Sequence, residues 1–323
     1  MGTVALLAVS CNKKQTTDSM VYSVRMDAQE QEFGHEQGLW DNEEPSRMYI
    51  QSYVVNFETG DELMLFNLDE ATPANSEFAT YTVQEGGTGS GVTLANLANL
   101  DGTGISDDII DAKYAFYPAA NVNTSNVTTN NTATFTLATT QQYTKVGDVV
   151  VPAGDLYMAS KIDKAASGAV QNDQFHLRNI CGVLELKFYS PSGKTLESIE
   201  LTNGGEMNIT GDVSLYIPAV DPGQLTLALG NNDAAAIAEI KEQLQYYVEN
   251  AGNTITLTGI NETLATTAAE ANSFYFVLRP QALMEGFTAV LNFSDSSSKT
   301  ITSTRNNMIK PNTFKQFTAL NAD

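Results

Sequence analysis

Cysteine is nearly absent from this chain. Of 323 residues only Cys11 and Cys181 carry a thiol, so no disulfide framework holds the fold. Cys181 lies in the apolar run 180–184, where a small buried thiol is expected; a bond to Cys11 would join the chain's first residues to a core strand and is excluded. Histidine is equally scarce: His35 and His176 have no second His or Cys at ligand spacing, which removes the ordinary zinc sites. Cations are few, with 17 Lys and Arg against 38 Asp and Glu, and the formal charge of −21 repels a phosphate backbone. Nucleic acid is therefore excluded as a partner, and the charge serves solubility. No apolar run reaches the roughly 20 residues that a membrane-spanning helix needs.

Catalytic patterns are missing as well. There is no nucleophile elbow. The glycine-rich stretch 86–91 lacks the Lys-Ser/Thr of a phosphate loop and opens no helix, so it reads as a flexible loop. The stretch 99–107 loosely imitates a calcium loop, but Ile110 stands where an EF-hand needs a bidentate glutamate, and it reads as a polar turn. Asp107 and Asp108 lie in a loop, with no fixed separation from another acid. His176 reads as a residue near the head of a strand. No catalytic, cofactor or metal residue is expected, and the chain is read as a non-enzyme.

What the chain does have is Thr, Asn, Ala and Gly in quantity, together with short runs of alternating apolar residues. Tyr49, Gln51, Tyr53, Val55 and Phe57 alternate with Ile50, Ser52, Val54 and Asn56, and a turn at 58–61 leads into the fully apolar run 63–66. Further strands are expected at 114–117, 133–137, 149–151, 156–161, 183–188, 207–217, 225–229, 254–260, 274–278, 287–293, 299–304 and 313–320. One amphipathic helix is expected over 234–248, with Ile237, Ile240, Leu244 and Tyr247 on one face and Asp233 as its cap. Many short strands with turns between them indicate an all-β chain of sandwiches. Its length suits two of them, N-terminal at 48–170 and C-terminal at 171–323, with the boundary where Ala, Ser, Gly and Asn collect at 165–173.

The first residues read as a leader. Residues 3–10 are too short to span a bilayer but suit the end of a signal peptide, and Ala8-Val9-Ser10-Cys11 resembles a lipobox, which makes Cys11 the expected lipidation site and 1–11 the signal. Residues 12–47 form an acidic arm, with Asp27, Glu30, Glu32, Glu36, Asp41, Glu43 and Glu44, and little apolar surface to bury.

These features together resemble the fimbrillin family, the pilin-like lipoproteins of Bacteroides-type bacteria. The residues that carry the resemblance are the leader ending at Cys11, the acidic arm, Ser46-Arg47 before the first alternating strand, and 57–66 with its turn and buried strand. Ala112 to Pro118, Phe175 to Leu184 and Pro311 to Phe314 add to it, while Phe57 stands where a Trp is common. The resemblance implies two transthyretin-like sandwich domains and export as a lipoprotein to the outer membrane and surface fimbriae. It also implies that a trypsin-like protease removes the N-terminal strand at an arginine, here Arg47 or, more weakly, Arg25. The opened groove would then take a strand from a neighbouring subunit, commonly its C-terminal segment, here 313–320. That segment also suits its own domain's last strand. Two other readings stand beside the stalk pilin. One is a tip or anchor subunit of the same pilus; the other is a monomeric surface lipoprotein binding glycan or host protein, for which Trp40 and the pair Tyr246-Tyr247 are the available aromatics.

Overall fold

The computed structural model describes residues 21–26, 30–33, 57, 59–83, 91–96, 112–146, 149–151, 158–163, 174–217, 247–249, 252–280 and 282–323. They form an all-β chain. In order the strands are β1 (Val21–Met26), β2 (Glu30–Phe33), β3 (Glu62–Asn67), β4 (Glu77–Val83), β5 (Gly91–Asn96), β6 (Tyr114–Tyr117), β7 (Thr132–Leu137), β8 (Thr140–Gln142), β9 (Thr144–Val146), β10 (Val149–Val151) and β11 (Met158–Asp163). They continue with β12 (Gln174–Asn179), β13 (Gly182–Tyr189), β14 (Thr195–Asn203), β15 (Gly211–Tyr216), β16 (Tyr247–Glu249), β17 (Thr254–Thr258), β18 (Glu262–Thr263), β19 (Asn272–Leu278), β20 (Phe287–Phe293), β21 (Ser298–Ser303) and β22 (Thr313–Asn321). The α-helix among the described residues is the single turn α1 (Val127–Asn130).

Seven strands close into a ring in the order β1-β12-β11-β6-β3-β4-β5, with β5 returning to β1. The middle of strand β3, residues 63–66, is apolar without interruption. Leu63 and Leu65 point into the ring with Tyr81, Val83, Ala115, Phe175 and Leu177. Phe66 points the other way, to Tyr114, Phe116, Phe135, Val213 and Leu215. A strand buried on both faces has no polar face to show. The outer layer that covers Phe66 is the three-stranded sheet β16-β15-β7.

A larger core lies between two further sheets. One is β19-β13-β22-β2 and the other is β21-β20-β14-β17-β8. Leu184, Leu186, Phe188, Phe274, Phe276 and Phe317 from the first meet Ile199, Leu201, Ile255, Leu257, Phe287 and Leu291 from the second. The alternation of β20 is strict, with Phe287, Ala289, Leu291 and Phe293 buried and the residues between them half-exposed, as a two-layer packing requires.

Pairing crosses the expected division near 170 in both directions. Strands β7 and β8 pair with β15 and β17, while β12 joins β11 and β1 in the ring. Residues 234–246 of the expected helix lie outside the described residues, as do the strand expected at 225–229 and residues 49–56. Tyr247 and Val248, expected in the last helical turn, stand instead in β16 opposite Ser214 and Val213. A β-branched and an aromatic residue side by side suit a strand once a partner is at hand, and β15 is that partner.

Two glycines test how tightly the turns are set. Gly286 has φ +84°, and a Cβ there would lie 1.9 Å from the Ser303 carbonyl oxygen, whereas Gly60 at φ +96° faces open space. Replacing Gly286 by Ala is expected to cost at least about 3 kcal/mol, from conformational strain plus the clash, and Gly60→Ala about 1 kcal/mol. Urea unfolding of the two variants beside the parent protein checks both the order and the gap.

Candidate assembly interface

The N-terminal segment reaches both halves of the molecule. Strand β1 lies between β5 and β12, antiparallel to the first and parallel to the second. Val21 stands opposite Ala95 and Arg25 opposite Gly91 on one side; Ser23 stands opposite Gln174 and Met26 opposite Leu177 on the other. Three residues further on, β2 runs parallel along β22, with Glu30 opposite Thr313 and Phe33 opposite Gln316. The acidic arm, expected to carry a removable strand, thus supplies two strands. The signal available in the sequence was the run Val21-Tyr22-Ser23-Val24, rich in β-formers within acidic surroundings.

Strand β1 is what closes the ring. Without it, β5 and β12 each present a row of unpaired N–H and C=O groups, and each lost backbone bond costs roughly 1 kcal/mol net. Beside that gap lie the wholly buried side chains of Phe175 and Leu177 on β12, in one cluster with Leu63, Leu65 and Tyr81. A slot with two strand edges and an apolar floor takes an extended segment of chain. Backbone bonds supply affinity there, and alternate side chains supply fit.

Strand β22 is a filled position. It runs parallel to β13 from Phe314 to Asn321, and the register slips between Glu185 and Lys187, where one residue on β13, Leu186, faces two on β22, Phe317 and Thr318. That bulge decides which side chains go inward. Strict alternation, as expected from the sequence, would put Phe314 and Leu320 on one face; with the bulge, Phe317 and Leu320 share the large core while Phe314 packs on the opposite face with Val183 and Tyr275. Burying each of these three side chains stabilises the strand by about 2 kcal/mol.

Both ends of β22 are tied. Before it, Asn312 at φ +53° donates its backbone N–H to the carbonyls of Asn179 (2.8 Å) and Cys181 (3.0 Å), and its side-chain oxygen accepts from Asn179 N–H at 3.1 Å. Asn179 in turn accepts from Cys181 N–H at 3.0 Å. After it, Ala322 is wholly buried and donates to the Tyr189 carbonyl at 2.8 Å. The Asp323 carboxylate accepts from the hydroxyl of Ser190, and from the hydroxyl (2.7 Å) and N–H (3.0 Å) of Ser192. Those hydroxyls hold the Asp323 carboxyl below its usual range. Lys299, on β21 of the facing sheet, donates to the Asp323 backbone oxygen at 2.5 Å.

On the outer face of β13, Glu185 is only 2% exposed. One carboxylate oxygen accepts from the hydroxyls of Ser273 (2.6 Å) and Tyr275 (3.1 Å), and the Lys187 ammonium lies 3.5 Å from the other. These partners compensate the buried charge and make it a structural group.

The remaining candidates fall as follows. Cys11, Arg47, His35, Trp40, Tyr246 and the stretch 99–107 lie outside the described residues, as does 84–90; Gly91 opens β5. His176 is in β12, in register with Arg25 of β1. Among the described residues no group of three or more His, Cys, Asp or Glu is placed to hold a metal ion, and no helix is long and apolar enough to cross a membrane.

Burial pushes the Cys181 thiol from 9.0 up to about 12. In a chain carrying Cys181 alone, a disulfide reagent at pH 8 is expected to leave the native thiol unmodified and to titrate one thiol per chain in denaturant. The folded state holds the proton that the unfolded state loses, so this contribution to stability is intact below pH 9 and is lost as pH rises toward 12. Thermal unfolding of that chain and of Cys181→Ala across this window measures the difference.

No family model matches this sequence, and no curated protein does. Solved structures do. A candidate cell adhesion protein of Bacteroides ovatus is 11% identical over 94% of this chain and 93% of its own, with a TM-score of 0.47. A second candidate cell adhesion protein, of Bacteroides uniformis, is 10% identical over 82% of this chain and 88% of its own, at 0.42. A fimbrial protein of Bacteroides ovatus is 10% identical over 94% of this chain and 50% of its own, at 0.36. These three structural neighbours are Bacteroides proteins described as two cell-adhesion candidates and a fimbrial protein.

Proposed function

We propose that the chain is a structural subunit of surface fimbriae, exported as a lipoprotein through Cys11 and assembled by strand exchange once its N-terminal arm is cut away. The observation that carries this reading is the seat of β1. A strand from the far N-terminus completes a ring whose other six members all lie beyond residue 61, and it holds its place by pairing on two sides. Its departure leaves a slot of the right kind for a neighbour's strand. Addition of that sort is heterologous and does not close on itself, so repetition yields a filament.

The two candidate cleavage sites differ physically. Arg47 follows both β1 and β2, so one cut there detaches the whole arm. Arg25 sits inside β1, paired on both sides, and a protease needs an extended, unpaired segment to bind. This favours Arg47. Neighbouring subunits are the partners, and adhesion follows from the assembled fibre at the cell surface. The reading as a monomeric lipoprotein binding glycan or host protein has less support, since the one tryptophan of the chain, Trp40, belongs to the acidic arm.

A limited digest of the unlipidated protein with trypsin, followed by mass spectrometry, tests the proposal. The expected result is one cut at Arg47. The cleaved protein, stripped of its arm, then takes up a labelled peptide of residues 19–28, and the uncleaved protein does not. Scattered cleavage, or a cleaved protein that ignores the peptide, sinks the strand-exchange reading.

A further inference from the structure

We infer that β22 stays in its own sheet when the subunit assembles and is not the strand handed to a neighbour. The inference rests on the strand-exchange reading and adds to it which segment does not move. Removing the arm takes β2 from the edge of β22 and leaves β13 as its one strand neighbour. A strand so placed would be free to leave if pairing were all that held it. Contacts at both of its ends and in the large core say otherwise.

The Asn179–Asn312 pair fixes the turn before β22 to the turn before β13, so the two strands start from one knot. Gly182 sits inside that knot with no room for even a Cβ, which would lie 2.5 Å from Ile309 Cγ2 and from the Lys310 carbonyl. The bulge turns both Phe317 and Leu320 into the large core, where Phe317 meets Phe287 edge-on at 5.3 Å. At the far end Asp323 binds the turn after β13 through Ser190 and Ser192, and Lys299 ties it to the opposite sheet. None of these contacts involves the arm, so cleavage removes none of them.

The slot left by β1 also has a different shape from β22. Strand β1 pairs along β5 and β12 in unbroken register, whereas β22 is built around a bulge. A chain that receives a strand and keeps its last one either ends a strand-exchanged series or passes on another segment.

A reversible staple tests this. Lys187 and Ala319 are register partners on β13 and β22, both half-exposed. The double variant Lys187→Cys/Ala319→Cys, lacking Cys11, is oxidised, checked by mass, cleaved at Arg47 and stripped of its arm. Its peptide uptake and its sedimentation, alone and mixed with the cleaved parent, are then compared before and after reduction. The expected result is no more than a twofold difference between the oxidised and reduced forms in either property. Association that vanishes on oxidation and returns on reduction would overturn the inference. Hydrogen exchange decides the case in which the cleaved protein stays monomeric: β22 amides are expected to remain as protected as those of β13, and a tenfold or greater loss of protection confined to β22 overturns it. Loss of peptide uptake in the unstapled protein signals failure of the strand-exchange reading itself, a result separate from either of these.

Discussion

Backbone hydrogen bonding of one short strand on both of its sides is the constraint from which the other features follow. Six strands, β12, β11, β6, β3, β4 and β5, form a curved sheet whose two ends face each other across a single missing position. Unpaired N–H and C=O groups at such ends are costly and sticky, and β1 satisfies both rows at once. Its side toward β5 is antiparallel and its side toward β12 is parallel, so a hairpin turn could join a strand in this seat to β5 but not to β12. In this molecule the strand comes from residues 21–26, on a segment that also lies along β22.

The two positions that the arm touches differ in how they are held. At the ring, the arm is the structural member and its loss opens an edge on each side. At the four-stranded sheet it only covers β22, which keeps β13, the large core and polar ties at both ends. One segment thus guards a site that its departure would open and borders a site that its departure would leave standing. Several buried polar groups nearby are held by the strands around them. Glu185 accepts two hydroxyl bonds beside Lys187, and Gln141 donates to and accepts from the backbone of Val277 at 2.8 and 3.0 Å, joining β8 to the sheet behind it.

Some of this was legible in the sequence because it is local. The strands at 114–117, 149–151 and 287–293 stand where alternation and β-branched runs place them, to the residue. The run at 63–66 was readable as a buried strand from its lack of any polar face. Strand β14 was not read, because its apolar residues fall at Leu196, Ile199 and Leu201; the register slips between Leu196 and Ser198, and the bulge breaks the period that would have revealed it. The same device on β22 turned a correctly located strand over partway along, so that Phe317 joined Leu320 in the core. Tyr247 and Val248 misled in the other sense, since helical spacing within one window says nothing about a partner such as β15.

For the candidate site, the sequence by itself determined the composition of the arm, the positions of its arginines and the strand-forming character of 313–320, all of which depend on residues close together in the chain. Only the tertiary structure decided that Val21 to Met26 lie between β5 and β12, that pairing crosses the middle of the chain, and that β22 is fastened at both ends. The physical reason is that a strand's partners are chosen by backbone groups, which every residue but proline carries alike. Side chains show that a segment will be extended and which face is apolar; where it is seated depends on which edges the rest of the fold leaves open.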